Sequence, residues 1–257
     1  MRIFCIGDIV GASGIKILSE KLEYFKDKEH INLIIANAEN ASNGRGITRM
    51  VYDELSTLGI DGFTMGNHVW GCKDVFPLMQ YKSNIIRPAN YEKSAPGKGS
   101  MILNADGVSV GVINLAGRVY MDPANSPFNA VMREINYLQS KNVKIILVDF
   151  HAEATSEKQA MGWFLDGKVS AVFGTHTHVQ TADESILTKG TGYITDLGMT
   201  GAVYSVLGMD RKIVIDKFVT GIPAKFELAE GEASICGCIF EIDEDTGKCV
   251  NISRVKI

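Results

Sequence analysis

No apolar run in this 257-residue sequence approaches the ~20 residues that a membrane-spanning helix requires, so a membrane partner is not expected. Basic clusters are equally scarce. The formal net charge is −4, and Lys and Arg never gather into the electrostatic footprint that a long nucleic acid or an anionic surface would demand. The five cysteines are odd in number and scattered, which excludes a disulfide framework and suits a reducing compartment. Cys236-Gly-Cys238 has no second pair to complete a metal site, and burial in a strand is the expected reason for it. The opening "MRIFCIGDIVG" is broken by Asp8 before the core of a signal peptide could form, and no small-residue cleavage pattern follows; a cytoplasmic location is expected. Repeats, linkers and low-complexity stretches are missing, which predicts one domain over residues 1–257. With 46% hydrophobic and 22% charged residues, disorder is excluded in favour of a globular chain.

What is present is an alternation of strand-like and helical segments, the pattern of an α/β fold. Strands are predicted at Arg2 to Ile6, Asn32 to Ala36, Gly62 to Met65, Val108 to Leu115, Lys144 to Phe150 and Val169 to Phe173. In "SGIKILSEKLEYFKDKE" the residues Ile15, Leu18, Leu22 and Phe25 recur at helical spacing, with Ser13 placed to cap the start. "TRMVYDELSTLGI" predicts a second helix that stops at Gly59, and two more are expected over Phe128 to Gln139 and Ser156 to Leu165. The last segment, "SICGCIFEIDEDTGKCVNISRVKI", reads as a β-hairpin turning at "EDTGK". Its "IDEDTG" lacks the later ligands of a calcium loop.

Several strand-like runs end in side chains able to ligate a metal. "IGDIVG" supplies Asp8, "NAEN" supplies Glu39 and Asn40, and "GNH" supplies Asn67 and His68. His151 ends a fifth run, and "GTHTH" supplies His176 and His178. Ligand sites of open α/β sheets lie beyond the carboxyl ends of the strands, so these loops can converge on one place. His30, in the charged "KDKEH", is expected to face solvent. Carboxylates, amides and imidazoles without nearby cysteines suit metals of borderline hardness, Fe, Mn or Zn. One ion would leave ligands unused, whereas two ions sharing a carboxylate would use them and clamp a phosphoryl group. Arg45, flanked by glycines in "SNGRGIT", is a candidate phosphate contact, an exposed loop charge being the other reading. Gly7, Gly11 and Gly14 do not follow G-x-G-x-x-G and are expected to serve tight turning. Met199, Tyr204 and Met209 are expected in the core or at a subunit contact.

The ordered stretches "GDIVG", "NAENASNGRGIT", "GNHVW", "DFHAEATSEK" and "GTHTHVQTAD", continuing through "YITDLGMTG" and "VLGMDR", closely resemble the YmdB-like bacterial metallophosphoesterases, described as 2′,3′-cyclic-nucleotide 2′-phosphodiesterases. The resemblance covers nearly the whole chain. It implies a calcineurin-like α/β sandwich, two mixed β-sheets flanked by helices. It also implies a dinuclear site of divalent or trivalent ions, Fe or Mn with Zn also compatible. Asp8, Glu39, Asn40 and His178 would hold the first ion, and Glu39, Asn67, His151 and His176 the second. The substrate implied is a 2′,3′-cyclic nucleotide such as 2′,3′-cyclic AMP, opened to a 3′-nucleotide by a hydroxide shared between the ions, with His68 as general acid. The chain departs from the wider superfamily where Val10 replaces the histidine of D-x-H, Glu39 replaces a bridging aspartate, and Val69 replaces the acid after G-N-H. The last change leaves open what orients His68. A homo-oligomer is expected from the apolar C-terminal third. Two rival readings are a metal-free nucleotide-binding regulatory module and a regulator that keeps the metals but does not turn over its nucleotide.

Overall fold

The computed structural model describes residues 1–257. Its first half runs β1 (Arg2–Ile6), β2 (Asp8–Ile9), α1 (Gly11–Lys28), β3 (Leu33–Asn37), α2 (Arg49–Thr57), β4 (Gly62–Thr64), α3 (Val75–Tyr81), β5 (Ile85–Ile86), β6 (Ser100–Ala105) and β7 (Val108–Ala116). The second half runs α4 (Pro127–Ser140), β8 (Ile145–His151), α5 (Thr155–Leu165), β9 (Ala171–Thr175), β10 (Ser185–Ile186), β11 (Gly192–Ile194), β12 (Met199–Ala202), α6 (Arg211–Thr220), β13 (Ala233–Ser234), β14 (Cys236–Ile242) and β15 (Cys249–Lys256). Two six-stranded sheets result, ordered β15-β14-β1-β3-β4-β5 and β10-β11-β9-β8-β7-β6, with a small third sheet β13-β12-β2 at one end.

Strand alternation explains the layering. In β1, Ile3 and Cys5 point into the apolar layer between the sheets, while Phe4 and Ile6 point outward under α1. In β8, Ile145 and Leu147 face the same middle layer, while Ile146, Val148 and Phe150 pack outward with Met161 and Leu165 of α5. Each central strand is apolar on both faces because each sheet is covered on both faces. The central strands of each sheet run parallel, β1 with β3 with β4 and β7 with β8 with β9, so their carboxyl ends share one rim.

The predicted elements appear with shifts of a residue or two at their ends, and the C-terminal hairpin β14–β15 turns where expected. The predicted cap of α1 is a correction. That helix begins at Gly11 with Val10 as N-cap and no side-chain cap, and Ser13 Oγ donates instead to Ala229 O at 3.2 Å. The chain turns sharply there: a Cβ on Gly7 would lie 2.0 Å from Gly198 O, and Gly11 holds φ +57°. Cys236 and Cys238 are buried in β14, and His30 is exposed. No helix is long and apolar enough to cross a membrane.

Candidate metal centre

The rim gathers the sequence-predicted residues into one cluster. Asp8 comes from β2, and Glu39 and Asn40 follow β3, where Val10 and Asn40 form a parallel bridge. Asn67 and His68 follow β4, His151 is the last residue of β8, and His176 and His178 follow β9. Glu39 Oε1 lies 3.2 Å from His151 Nε2 and 3.5 Å from His68 Nδ1. His151 Nε2 also stands 2.9 Å from Asn67 Oδ1 and 3.0 Å from His176 Nδ1. His178 Nε2 lies 3.8 Å from Asp8 Oδ1 and 3.1 Å from Asn40 Nδ2.

The imidazoles of His151, His176 and His178 each have the outward nitrogen engaged. Thr175 Oγ1 donates to Asp149 Oδ1 at 2.7 Å, which leaves its oxygen free to accept from His151 Nδ1 at 2.9 Å. His176 Nε2 meets Glu153 Oε2 at 3.1 Å, and His178 Nδ1 donates to the Leu207 carbonyl at 3.1 Å. With the proton held on the outer nitrogen, the inner nitrogen presents a lone pair, the outer-partner arrangement that orients histidine ligands of metals. His176 and His178 hold φ of 101° and 63°, a conformation side chains rarely adopt, so the turn between them is strained to aim both rings.

The inner surface therefore carries more acceptors than donors. His151 Nε2, His176 Nδ1, Asn67 Oδ1 and Glu39 Oε1 crowd together, and the ligand atoms of Glu39, His151 and His176 all lie within 4.8 Å of one another. Asp8 is wholly buried, and its Oδ1 has no hydrogen-bond partner. A buried carboxylate oxygen without a donor is costly, and a divalent cation is the group that would relieve it. With protons as the only cations, burial disfavours charge on His151, but the Glu39, Asp8 and Asp149 carboxylates prevail and push its pKa up to about 9. Burial would raise Glu39, yet His151 and His68 bring it down to about 2. His176 is pushed down to about 3 by burial and by the neighbouring His151 charge. Asp8 is raised by burial, against the pull of His178 and His151. The donor set fits hard-to-borderline divalent cations.

His68 stands apart from the inward-facing rings. Its Nδ1 lies 2.6 Å from Asn40 Oδ1, its backbone N–H donates to Glu39 Oε2 at 2.8 Å, and its Nε2 has no partner in the chain. Asn40 thus fills the orienting place left vacant by Val69, while its amide nitrogen faces His178. Arg45 is exposed near His68; its carbonyl accepts from Cys72 Sγ, and its guanidinium makes no hydrogen bond within the chain.

Beyond these ring partners, sequence reasoning also missed Gly66, Lys158 and Asp196. A Cβ on Gly66 would lie 2.3 Å from the His151 ring and 2.4 Å from Glu39 Oε2, so only glycine fits behind the cluster. Lys158 and Asp196 form a buried ion pair at 2.6 Å, and Asp196 Oδ2 also accepts from the backbone of Thr177, the residue between the two histidines, at 3.1 Å. Lys158 shares the stripe of Met161, Gly162 and Leu165 on α5, and a charge on a buried stripe was the available signal. Met209 is a correction. It lines the cavity over the cluster, because a two-residue turn carries it there and away from the core.

The profile of the YmdB-like protein family matches residues 4–255. A 2′,3′-cyclic-nucleotide 2′-phosphodiesterase of Bacillus subtilis is 46% identical over 257 residues, covering 100% of this chain and 97% of that protein. A crystal structure of a novel phosphatase from Mycoplasma pneumoniae superposes with a TM-score of 0.93 at 34% identity, over 100% of this chain and 93% of that one. A 5′-nucleotidase precursor from Thermus thermophilus, at 11% identity and a TM-score of 0.57, shares the fold alone, over 100% of this chain and 54% of its own. The two sandwiched mixed sheets have the calcineurin-like fold.

Proposed function

The chain belongs to the YmdB-like protein family, and from that premise we propose that it is a metal-dependent phosphodiesterase that opens 2′,3′-cyclic nucleotides at the 2′ oxygen and leaves 3′-nucleotides, the activity for which its Bacillus subtilis relative is named. The observation that carries the reading is the set of three imidazoles whose outer nitrogens are engaged and whose inner nitrogens meet Glu39 and the unpartnered Asp8 oxygen. Asp8, Glu39, Asn40 and His178 would hold one ion, and Glu39, Asn67, His151 and His176 the other. Fe and Mn suit these oxygen and nitrogen donors, and Zn is compatible. An amide oxygen has two lone pairs, so Asn40 Oδ1 can serve His68 and an ion together. Bound there, the ions supply Lewis acidity, which lowers the pKa of water and offsets charge on phosphoryl oxygens.

His68 supplies the proton. Asn40 and Glu39 fix its ring, the residue lines the cavity with Nε2 unpartnered, and burial together with Arg45 lowers its pKa against the opposing pull of Glu39. A more acidic imidazolium gives up its proton more readily. As a water oxygen bonds to phosphorus and releases a proton to solvent, the bond from phosphorus to the 2′ oxygen breaks, and its electron pair leaves with that oxygen, which takes the His68 Nε2 proton. Arg45, unpaired and close by, is a candidate contact for the phosphate.

The test is turnover of 2′,3′-cyclic AMP by protein of measured metal content, with product identification. Two ions per chain and 3′-AMP as product are expected. His68→Ala should keep both ions and lose about 10²–10⁴-fold in kcat. Loss of metal from that variant would make His68 a ligand and overturn its assignment.

A further inference from the structure

The cluster sits at the floor of a cavity of about 410 Å³ whose far wall is unlike its floor. The wall is apolar: Leu207 and Met209 from the turn before α6, Val214 and Phe218 from the helix, and Phe226 after it. Val214, Lys217 and Phe218 stand at the i, i+3, i+4 spacing that gives a helix one face, and that face looks onto the cluster. Val214 is the single buried residue of α6, so building core is not what this helix does. Phe218 remains 80% exposed and Phe226 38% exposed, an arrangement of large apolar side chains beside a polar floor that marks a binding surface. Lys217 Nζ lies 4.5 Å from the Phe226 ring centre and is the only lysine or arginine lining this cavity.

The wall is also fixed to the floor. Val206 and Met209 exchange both backbone hydrogen bonds around Leu207 (φ 54°) and Gly208 (φ 90°), a tight hairpin turn with both central residues left-handed. That strained turn aims the Leu207 carbonyl at His178 Nδ1. The same loop thus orients a candidate metal ligand with its backbone and presents Leu207 and Met209 to the cavity with its side chains.

Resting on the phosphodiesterase reading above, we propose that this wall is the nucleobase subsite: the phosphate lies at the cluster and the base lies against Met209 and the face of Phe226 that Lys217 leaves free. A flat, polarisable ring stacks on an aromatic face and against a thioether, and neither contact reads base identity, so the subsite would accept purines and pyrimidines alike. The volume suits a small ligand. A second cavity opens from Asn67 and also offers aromatics, Trp70 and Tyr91, but Glu92 and Asp122 line it with no lysine or arginine to offset them, whereas the first cavity has Lys217 as well as Glu153 and would repel an anionic nucleotide less.

The experiment compares binding of 3′-AMP with binding of inorganic phosphate to the metal-loaded protein by calorimetry. Wild type should prefer 3′-AMP. In Phe226→Ala the ratio of the two affinities should fall about tenfold, in Lys217→Gln about threefold, and Phe226→Tyr should restore it. Phe226 lies on the surface in a segment outside any helix or strand, so its loss leaves the folded core intact. An unchanged ratio in Phe226→Ala, with a fall in Trp70→Ala instead, would move the base to the other cavity and overturn the proposal. Equal weakening of both ligands would make the wall a mere support for His178. A changed sedimentation coefficient with an unchanged ratio would make it a contact between two copies. If the ratio falls as expected while 2′,3′-cyclic AMP is not turned over, the base subsite stands and the assigned reaction fails.

Discussion

Two buried polar groups meet at the end of β9, and they are built on opposite principles. On one side, Asp196 accepts from Lys158 Nζ and the Thr177 backbone through Oδ2 and from the Gly198 backbone through Oδ1, so that both of its oxygens are satisfied by protein donors. On the other, Asp8 keeps an oxygen with no donor, and inward ring nitrogens crowd against Glu39. Both aspartates are fully buried and both hold the same loop, Asp196 through Thr177 N–H and Asp8 through His176 N–H at 3.1 Å. The complete group closes on itself and serves structure; the incomplete one is arranged for something that arrives from outside. Lys158→Met should break the first principle with the largest effect. It strands the Asp196 charge in the interior, at a cost of about 3–5 kcal/mol in urea-denaturation stability. Full stability in that variant would mean the pair contributes nothing to the rim.

The incomplete group makes the reverse expectation. Adding Mn²⁺ to metal-free protein should stabilise it by about 2.7 kcal/mol at a hundred times the dissociation constant, because the ion binds the folded site and not the open chain. In Asp8→Asn the gain should largely vanish, while the metal-free protein keeps its stability or rises by about 1 kcal/mol, since a buried charge with one oxygen lacking a donor has been removed. A thermal-shift series with and without chelator reads both. Equal stabilisation of the variant and the wild type by the ion would place the metal elsewhere.

The difference between the two groups also governs what could be read from sequence. Asp8, Glu39, Asn67, His151 and His178 declared themselves because strands that are apolar on both faces end where those residues begin, and a parallel sheet brings such ends together. The complete group did not, since a lysine in "TSEKQ" and an aspartate in "ITDLG" read as solvent and turn until α5 is seen lying against β9. Met209 likewise reads as core, because periodicity reports that a face is apolar and not what covers it. Gly66 is silent in sequence for a similar reason: its constraint comes from the ring of His151, a residue distant along the chain. Gly66→Ala should push that ring away and weaken metal binding by about tenfold, with unfolding stability reduced less than in Lys158→Met. An unaltered metal affinity, measured by competition with a chelating dye, would show that the ring can yield.

Protons sharpen the comparison at a third carboxylate. Asp183 accepts from Thr195 through both the backbone N–H, at 3.1 Å, and the hydroxyl. Burial alone would raise its pKa, but hydrogen bonds from Thr181 and Thr195 outweigh burial and hold it below its ordinary value of 3.8, the opposite of Asp8, which burial raises. The sign of its linkage follows. A carboxylate whose pKa is lower in the folded state contributes stability that is fully present above the unfolded pKa and is lost as pH falls through the folded one. Asp183→Asn should therefore leave metal binding intact and lower stability slightly at pH 7. The gap between variant and wild type should close as the solution is acidified below about pH 4. Asp183 is partly exposed, so solvent screening makes this the smallest of the effects. A gap that instead widened on acidification would mean that Asp183 is held in its protonated form, and that satisfied and unsatisfied carboxylates in this protein do not part in the way their hydrogen bonds imply.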